Sequence, residues 1–284
     1  MNRLLSFGHG YSAQELVRQL EDGWQITGTT RNADKDIGVA KRVFPGDDLK
    51  PDILAATHLL ISAGPSADGD PVLNAYCDVI ADNANRFEWV GYLSTTGVYG
   101  NFDGGWVDES TPVEPTTERG KWRAAAEADW LSIPGLPIHI FRLAGIYGPG
   151  RGPFAKLRRG TARRIIKPGQ VFSRIHVADI ARVLIASIQR PNPGAIYNVC
   201  DSDPQPPEVV IGAAARMLDV PLPPAEPFED AEMSPMARSF YADSKRVSNR
   251  RIVEELGVSL AYPDHISGLK AILEAESRSA ESGS

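Results

Sequence analysis

The tightest constraint on this 284-residue chain lies at its start. There a short apolar run, Arg3-Leu4-Leu5-Ser6-Phe7, meets Gly8-His9-Gly10 and then Tyr11-Ser12-Ala13. An apolar run of this length that stops at glycine reads as a strand. Residues 13–22 then place Leu16, Val17 and Leu20 at helical spacing and end at Gly23. A strand, a GxGxxA turn and a helix in that order make a phosphate cradle. Gly8 allows the tight turn, Gly10 lets main chain approach a diphosphate with no side chain between, and Ala13 lets helix and strand pack closely. The helix start adds N–H groups that have no partner inside the helix. The unit predicts dinucleotide binding; a pair of turn glycines without a ligand is the alternative.

The alternation continues beyond this unit. Strands are predicted at 24–30, 42–44, 58–62, 87–94 and 137–143, and helices over 72–86 and 117–132. Such an order specifies an α/β fold, a parallel sheet covered by helices on both faces. A helix at 177–190 and a strand at 195–200 follow, and Pro-rich segments come after them. We expect a doubly wound sheet from residues 1–150, with 172–200 returning to it. A small discontinuous C-terminal substrate lobe is expected from 151–171 and 201–273. Residues 274–284 are polar, have nothing to bury, and are expected to form a flexible tail.

Composition narrows the functional classes. At 42% apolar and 23% charged the chain is globular rather than disordered. A net charge of −6 argues against a general nucleic-acid binder, which needs clustered positive charge. Cys77 and Cys200 lie far apart with no CxxC, so neither a disulfide framework nor a zinc site is expected, and the five histidines show no metal-ligand spacing. No apolar stretch approaches the roughly 18 residues of a membrane span. The opening MNRLLSFGHG is also too short an apolar run for a signal segment, so a cytoplasmic protein is expected.

Cofactor choice is read where the second strand ends. A carboxylate about 20 residues after the glycines would bind a ribose 2′-hydroxyl, but here stand Thr29, Thr30 and Arg31. Arg31 can pair with a 2′-phosphate, which predicts NADP. The alternative is NAD, with Arg31 solvated and Asp34 or Asp36 on the ribose.

Downstream, Ser94-Thr95-Thr96-Gly97-Val98-Tyr99-Gly100 and Glu109-Ser110-Thr111-Pro112 appear, followed by Arg142-Leu143-Ala144-Gly145-Ile146-Tyr147-Gly148-Pro149-Gly150 and Ile175-His176-Val177-Ala178-Asp179-Ile180-Ala181. Over nearly its whole length the chain resembles the extended short-chain dehydrogenase/reductases of the NAD(P)-dependent epimerase/dehydratase type. That resemblance implies a Rossmann-type domain and epimerase, dehydratase or reductase chemistry on nucleotide sugars or related carbonyl compounds. It also implies a homodimer, since this family often associates through helices beside the sheet. Its cofactor-binding positions here are Gly8, Gly10, Tyr11, Ala13, Arg31, Ser62, Ala63, Gly64, Thr95 and Arg123. The family's catalytic YxxxK departs from pattern: Arg119 stands at the Tyr position and Arg123 at the Lys position, while Thr95 keeps the Ser/Thr place. This resembles an atypical, YeeZ-like subgroup that lacks the signature.

The substitution changes the chemistry available. A guanidinium stays protonated above pH 12, so Arg119 is a poor acid and no base, although it can hold an anion or polarise a carbonyl. Arg119 and Arg123 share a helix face, where a bound anion would ease their repulsion; solvation, or pairing with Glu118 and Glu127, is the alternative. Candidates for the missing acid are Tyr99, Tyr147 and His176. From Trp130 to Ala178 there is no Asp or Glu, yet the stretch carries Arg142, Arg151, Lys156, Arg158, Arg159, Arg163, Arg164, Lys167 and Arg174. Of these, Arg151 and Arg174 are expected to bind an anionic group of a small-molecule substrate, and Arg158, Arg159 and Arg163 to face solvent. Tryptophans such as Trp122 and Trp130 are expected in the core. Two functions stay open: an atypical NADP-dependent oxidoreductase or epimerase with Thr95, Arg119 and Arg123 as its catalytic set, or a catalytically inactive NADP-binding sensor or scaffold.

Overall fold

The computed structural model describes residues 1–282. The chain runs β1 (Arg3–Phe7), α1 (Tyr11–Gln19), β2 (Gln25–Thr30), β3 (Ala40–Val43), α2 (Lys50–Ala55), β4 (His58–Ile61), α3 (Pro71–Asp82) and β5 (Trp89–Thr95). Next come the short β6 (Trp106–Val107), α4 (Glu118–Leu131), β7 (Ile138–Leu143), β8 (Gly145–Tyr147), α5 (Pro153–Arg158), β9 (Arg164–Ile166), β10 (Arg174–His176), α6 (Val177–Gln189) and β11 (Ile196–Val199). The last elements are α7 (Pro207–Met217), β12 (Ala225–Pro227), α8 (Pro235–Ser239), β13 (Arg246–Val247), α9 (Arg250–Glu254) and α10 (His265–Ser282). The segment 274–284, expected to be a flexible tail, continues α10 as far as Ser282. Residues 283 and 284 lie outside the described residues.

Seven strands form one sheet in the order β11-β7-β5-β4-β1-β2-β3, with every pairing parallel. This is the expected α/β architecture, a Rossmann-like doubly wound sheet. Parallel strands covered on both faces carry continuous apolar runs, and β4 and β7 are buried at every position. Alternation sends neighbours to opposite cores. Leu4 and Leu60 join the cluster under α1 and α6, while Leu5 and Leu59 join the one under α2, α3 and α4. A third, smaller cluster packs Phe154 of α5, Val210 and Ala214 of α7, and Leu269 and Ile272 of α10 around Tyr147. Short parallel pairs, β8 with β10, β9 with β12 and β6 with β13, tie the later segments together.

Helix boundaries follow their caps. Gly10, in extended conformation, starts α1 at Tyr11, two residues before the periodic pattern. Asp70 accepts hydrogen bonds from the N–H groups of Val72 and Leu73, which sets the start of α3 behind Pro71. The expected helix over 72–86 ends at Asp82 and gives way to a 3-10 turn at Ala84–Arg86. Among the described residues, no helix is long and apolar enough to cross a membrane.

A buried polar network holds α4 to the sheet. Arg142 on β7 donates from Nη2 to Glu127 Oε2 at 2.7 Å, and both side chains are only 4% exposed. Ser94 on β5 donates to the other Glu127 oxygen, and Arg142 Nη1 donates to the Tyr99 hydroxyl at 2.9 Å. Tyr99 in turn donates to Asn198 Oδ1 on β11 at 2.8 Å, and the Asn198 N–H donates to Glu109 at 2.7 Å. Breaking such a pair leaves an uncompensated charge in the interior. Glu127→Gln keeps the shape and removes the counter-charge, so it should cost about 3 kcal/mol. Urea unfolding measures this, and a loss below about 1 kcal/mol would contradict the role given to the pair.

Candidate functional site

The main chain after β1 shapes the predicted turn. Gly8 has φ +78°, and a Cβ there would lie 2.9 Å from the Ala63 backbone nitrogen, so no other residue fits. Its N–H donates to Thr29 Oγ1 at 2.7 Å, and the His9 N–H donates to the Thr29 carbonyl oxygen at 2.8 Å. Thr29 is therefore a buried brace of the turn. Gly28, beside it on β2, makes room for His9: a Cβ there would come 2.7 Å from the imidazole. Burial, with the charge of Lys35, pushes the His9 pKa down. Gly10 caps α1 with no side-chain hydrogen bond, and no acidic residue stands in the first turn. A Cβ on Gly10 would meet only the Gly8 carbonyl oxygen, at 3.7 Å. Open space over a bare helix start fits the diphosphate of a dinucleotide.

A cleft of about 1630 Å³ opens at this turn. Of the predicted residues, Tyr11, Ser62, Gly64, Thr95, Arg119, Arg123, Arg151 and Arg174 line it. Gly8, Gly10, Ala13 and Ala63 are not among its lining residues. Ala13 is fully buried on the inner face of α1, and the Ala63 N–H donates to the Phe7 carbonyl oxygen at 3.0 Å. Arg31 is exposed just past β2 and also stands outside the lining.

Thr95 Oγ1 accepts from the Gly97 N–H at 3.1 Å, capping the 3-10 turn Thr96–Tyr99 and leaving its own proton free to donate. Arg123 donates to the Leu93 carbonyl oxygen at 2.6 Å and to the Tyr92 hydroxyl at 3.2 Å, so it is tied to β5 while it lines the cleft. Arg119 is exposed at the start of α4. Glu118 pairs with Lys121 at 2.7 Å and Glu127 with Arg142, which corrects the alternative pairing with Arg119 and Arg123.

The nine cations of the carboxylate-free stretch divide. Arg142 is buried in the network, Arg158 pairs with Glu276 at 2.6 Å, and Arg163 pairs with Glu226. Arg164 and Lys167 donate to backbone carbonyls. Arg151, Lys156, Arg163 and Arg174 line the cleft. Arg174 Nη1 donates to the carbonyl oxygens of Phe172 and Gln205 at 2.9 and 2.8 Å, and burial lowers its pKa. Asp201, whose N–H donates to the Arg174 carbonyl, is pushed up to about 8 by burial and is mostly protonated at neutral pH.

The candidates for the missing acid are engaged elsewhere. Tyr99 belongs to the buried network, is absent from the cleft wall, and has its pKa raised by burial. His176 Nδ1 accepts from the Ala178 N–H at 3.2 Å as the cap of α6, and burial pushes its pKa down to about 4. Tyr147 does line the cleft, but it is 6% exposed and burial drives its pKa well above the ordinary phenol value.

Among the described lining residues that the reading of the sequence did not place here, Trp122, His265 and Lys245 stand out. Trp122, expected in the core, is half-buried in the cleft wall, whereas Trp130 is fully buried. Eight residues along a helix is about 80° past two full turns, so the two indoles face different ways. His265, the first residue of α10, lines the cleft with Nδ1 against the Asp203 carboxylate. Lys245, next to β13, lines it from a buried position.

The cap at α6 carries a pH signature. Folded His176 is held near 4 while the unfolded side chain protonates near 6.5, so this group costs stability as the pH falls between those values. His176→Asn keeps a good cap and removes the titration. Relative to the parent, the variant should gain up to about 1.4 kcal/mol per pH unit through that window. Above pH 7 the difference should be constant. Unfolding curves at stepped pH test this, and a difference that never changes with pH would contradict it.

No protein-family model matches the chain. Protein YeeZ of Escherichia coli (strain K12) is 28% identical over 286 residues, spanning 93% of this chain and 97% of YeeZ. The structure of a functionally unknown conserved protein from Silicibacter pomeroyi DSS is 57% identical, with TM-score 0.93 over 97% of this chain and 99% of that one. Two structures at 16% identity share the fold. Human epimerase family protein SDR39U1 (isoform2) with NADPH has TM-score 0.77, over 96% of this chain and 99% of that one. The dTDP-glucose 4,6-dehydratase of Bacillus anthracis in complex with NAD has TM-score 0.75, over 99% and 98%. The chain is thus similar over nearly its whole length to YeeZ, and its seven-stranded parallel sheet is the fold of the epimerase and dehydratase structures solved with NADPH and NAD, as the motifs on β5 and β7 led us to expect.

Proposed function

We propose that the chain binds NADP(H) in this cleft and acts as an atypical oxidoreductase or epimerase on an anionic carbonyl or nucleotide-sugar-like substrate. The observation that carries the reading is one continuous cleft. It joins the start of α1, the Thr95 hydroxyl, and the cations Arg119, Arg151, Lys156 and Arg174. The N–H groups of the first turn of α1 hold the diphosphate, and Arg31 beyond β2 meets the 2′-phosphate. No carboxylate ends β2, and nearby Lys41 folds onto the carbonyl oxygens of Ala33 and Lys35, adding a third cation beside Arg31 and Lys35 to a loop that also carries Asp34 and Asp36. The human structural neighbour solved with NADPH supports this choice; the Bacillus anthracis neighbour solved with NAD is the counter-example.

A bound nicotinamide supplies or takes the hydride. The chain does the rest. Thr95 donates its free proton in a hydrogen bond to the substrate oxygen, and Arg119 stabilises negative charge there. Arg151 and Arg174 hold the anionic group, which offsets the cost of a guanidinium among Phe172, Gln205 and the protonated Asp201.

A non-enzymatic NADP-binding sensor or scaffold is the second reading. It is favoured by the arginines at positions 119 and 123 and by the engagement of Tyr99 and His176 away from the cleft. Calorimetry with both cofactors should give tighter binding of NADPH than of NADH. Arg31→Ala should weaken NADPH about tenfold and leave NADH unchanged. Equal affinities in the parent chain would reject the assignment of Arg31. Screening NADPH with carbonyl compounds and nucleotide sugars, with Arg119→Ala in parallel, separates the two readings. Turnover that falls in the variant supports an enzyme, and tight binding without turnover supports the sensor.

A further inference from the structure

We propose that Lys245 is the proton-transfer residue of this cleft, acting on the oxygen of a carbonyl substrate held at Thr95. The proposal rests on the oxidoreductase reading above. Lys245 is 8% exposed, yet it lines the cleft. Its Nζ donates to the Gly100 carbonyl oxygen and, at 3.3 Å, to Asp243 Oδ2. An ammonium has three N–H bonds, so one remains for a ligand. Gly100 closes the four-residue turn Thr96–Tyr99 that Thr95 opens, so Thr95 and the Lys245 contact flank a single turn. The start of α4 borders the same turn: a Cβ on Gly120, beside Arg119, would come 3.0 Å from the Gly97 carbonyl oxygen.

The segment that carries Lys245 is fixed on both sides. The N–H groups of Phe102 and Gly104 donate to the Ser244 carbonyl oxygen at 3.1 and 2.9 Å. The Thr116 hydroxyl donates to Asp243 Oδ1, and the Gln170 amide donates to the Asp243 carbonyl oxygen. A lysine held this way presents its amine in one place rather than sweeping solvent.

The charge that acts on Lys245 is that of Asp243, which is bonded to it; the cleft it faces is also lined by Glu118, Arg119, Arg123, Arg163, Arg174 and Glu232. Burial lowers its pKa, and Asp243 opposes the shift. The amine therefore loses its proton more readily than a surface lysine does, which a guanidinium at position 119 or 123 cannot do. In the reductive direction the carbonyl carbon takes hydride from the reduced nicotinamide while its oxygen takes a proton from the Lys245 ammonium. The products are the alcohol, the oxidised cofactor and a neutral amine, which water reprotonates. In reverse, the neutral amine accepts the hydroxyl proton.

The first test needs no known substrate. Pyridoxal 5′-phosphate, an anionic aldehyde, is mixed with the full chain from about pH 6 to 10; the imine it forms with loss of water is reduced by borohydride and mapped by mass spectrometry. Lys245 should be labelled about tenfold faster at neutral pH than exposed lysines such as Lys121. Its rate should reach half-maximum at a lower pH than theirs. A Lys245 labelled no faster, with the same midpoint, would overturn the proposal.

The second test uses any carbonyl that the panel above shows to be turned over. Lys245→Met and Lys245→Arg should each lower kcat about 100-fold or more while NADPH affinity, read by calorimetry, stays within about twofold. Full activity in Lys245→Arg would reduce the residue to a fixed charge and end the assignment. Failure of the parent chain to bind NADPH overturns the functional reading itself. A panel without turnover removes both the enzyme and the assignment. NADPH binding with ordinary labelling of Lys245 removes only the latter.

Discussion

The ion pair between Glu127 and Arg142 sets the geometry on which the cleft depends. Its net contribution to stability is modest, because desolvating two charges offsets most of their attraction. Its specificity is not modest. Among the described residues Glu127 is the one ionic hold of α4 on β7, Ser94 adds β5, and Tyr99 extends the chain of hydrogen bonds to Asn198 on β11. Held by these bonds, α4 has one rotation and one height. That rotation delivers Arg119, Trp122 and Arg123 to the cleft while Glu127 and Trp130 face inward.

Much of the first half was legible in the sequence because its signals are local. The strand, the glycine turn and the helix are consecutive, and β1 lies where the apolar run lies. The alternation of Leu4 with Leu5, and of Leu59 with Leu60, maps directly onto two cores. The later short strands β8 to β10, β12 and β13 carried no such signal. Each has two or three residues and exists because a partner distant in sequence lies beside it. Periodicity cannot be read over three residues.

The site was legible by motif and obscure by partner. Thr95 and the two arginines of α4 stand in the cleft where the motif puts them. The partners of Arg158 and Arg163 in the basic stretch could not be read there, because their carboxylates, Glu276 and Glu226, lie 63 or more residues away. Lys245 sits outside every family motif. It reaches the cleft because the neighbouring β13 pairs with β6, a contact between two-residue strands whose partners, Arg246 and Trp106, are 140 positions apart.

Tyr11 joins two parts of the molecule that the motifs treat separately. It is the first residue of α1, yet its hydroxyl donates to the Pro149 carbonyl oxygen at 2.9 Å, and Arg151 stacks 5.7 Å over its ring. Gly148 gives it room, since a Cβ there would come 2.5 Å from the phenol oxygen. One aromatic ring thus touches both the mouth of the first helix and the Gly148–Arg151 turn, a direct contact between the cofactor end of the cleft and its basic wall that does not pass through the sheet.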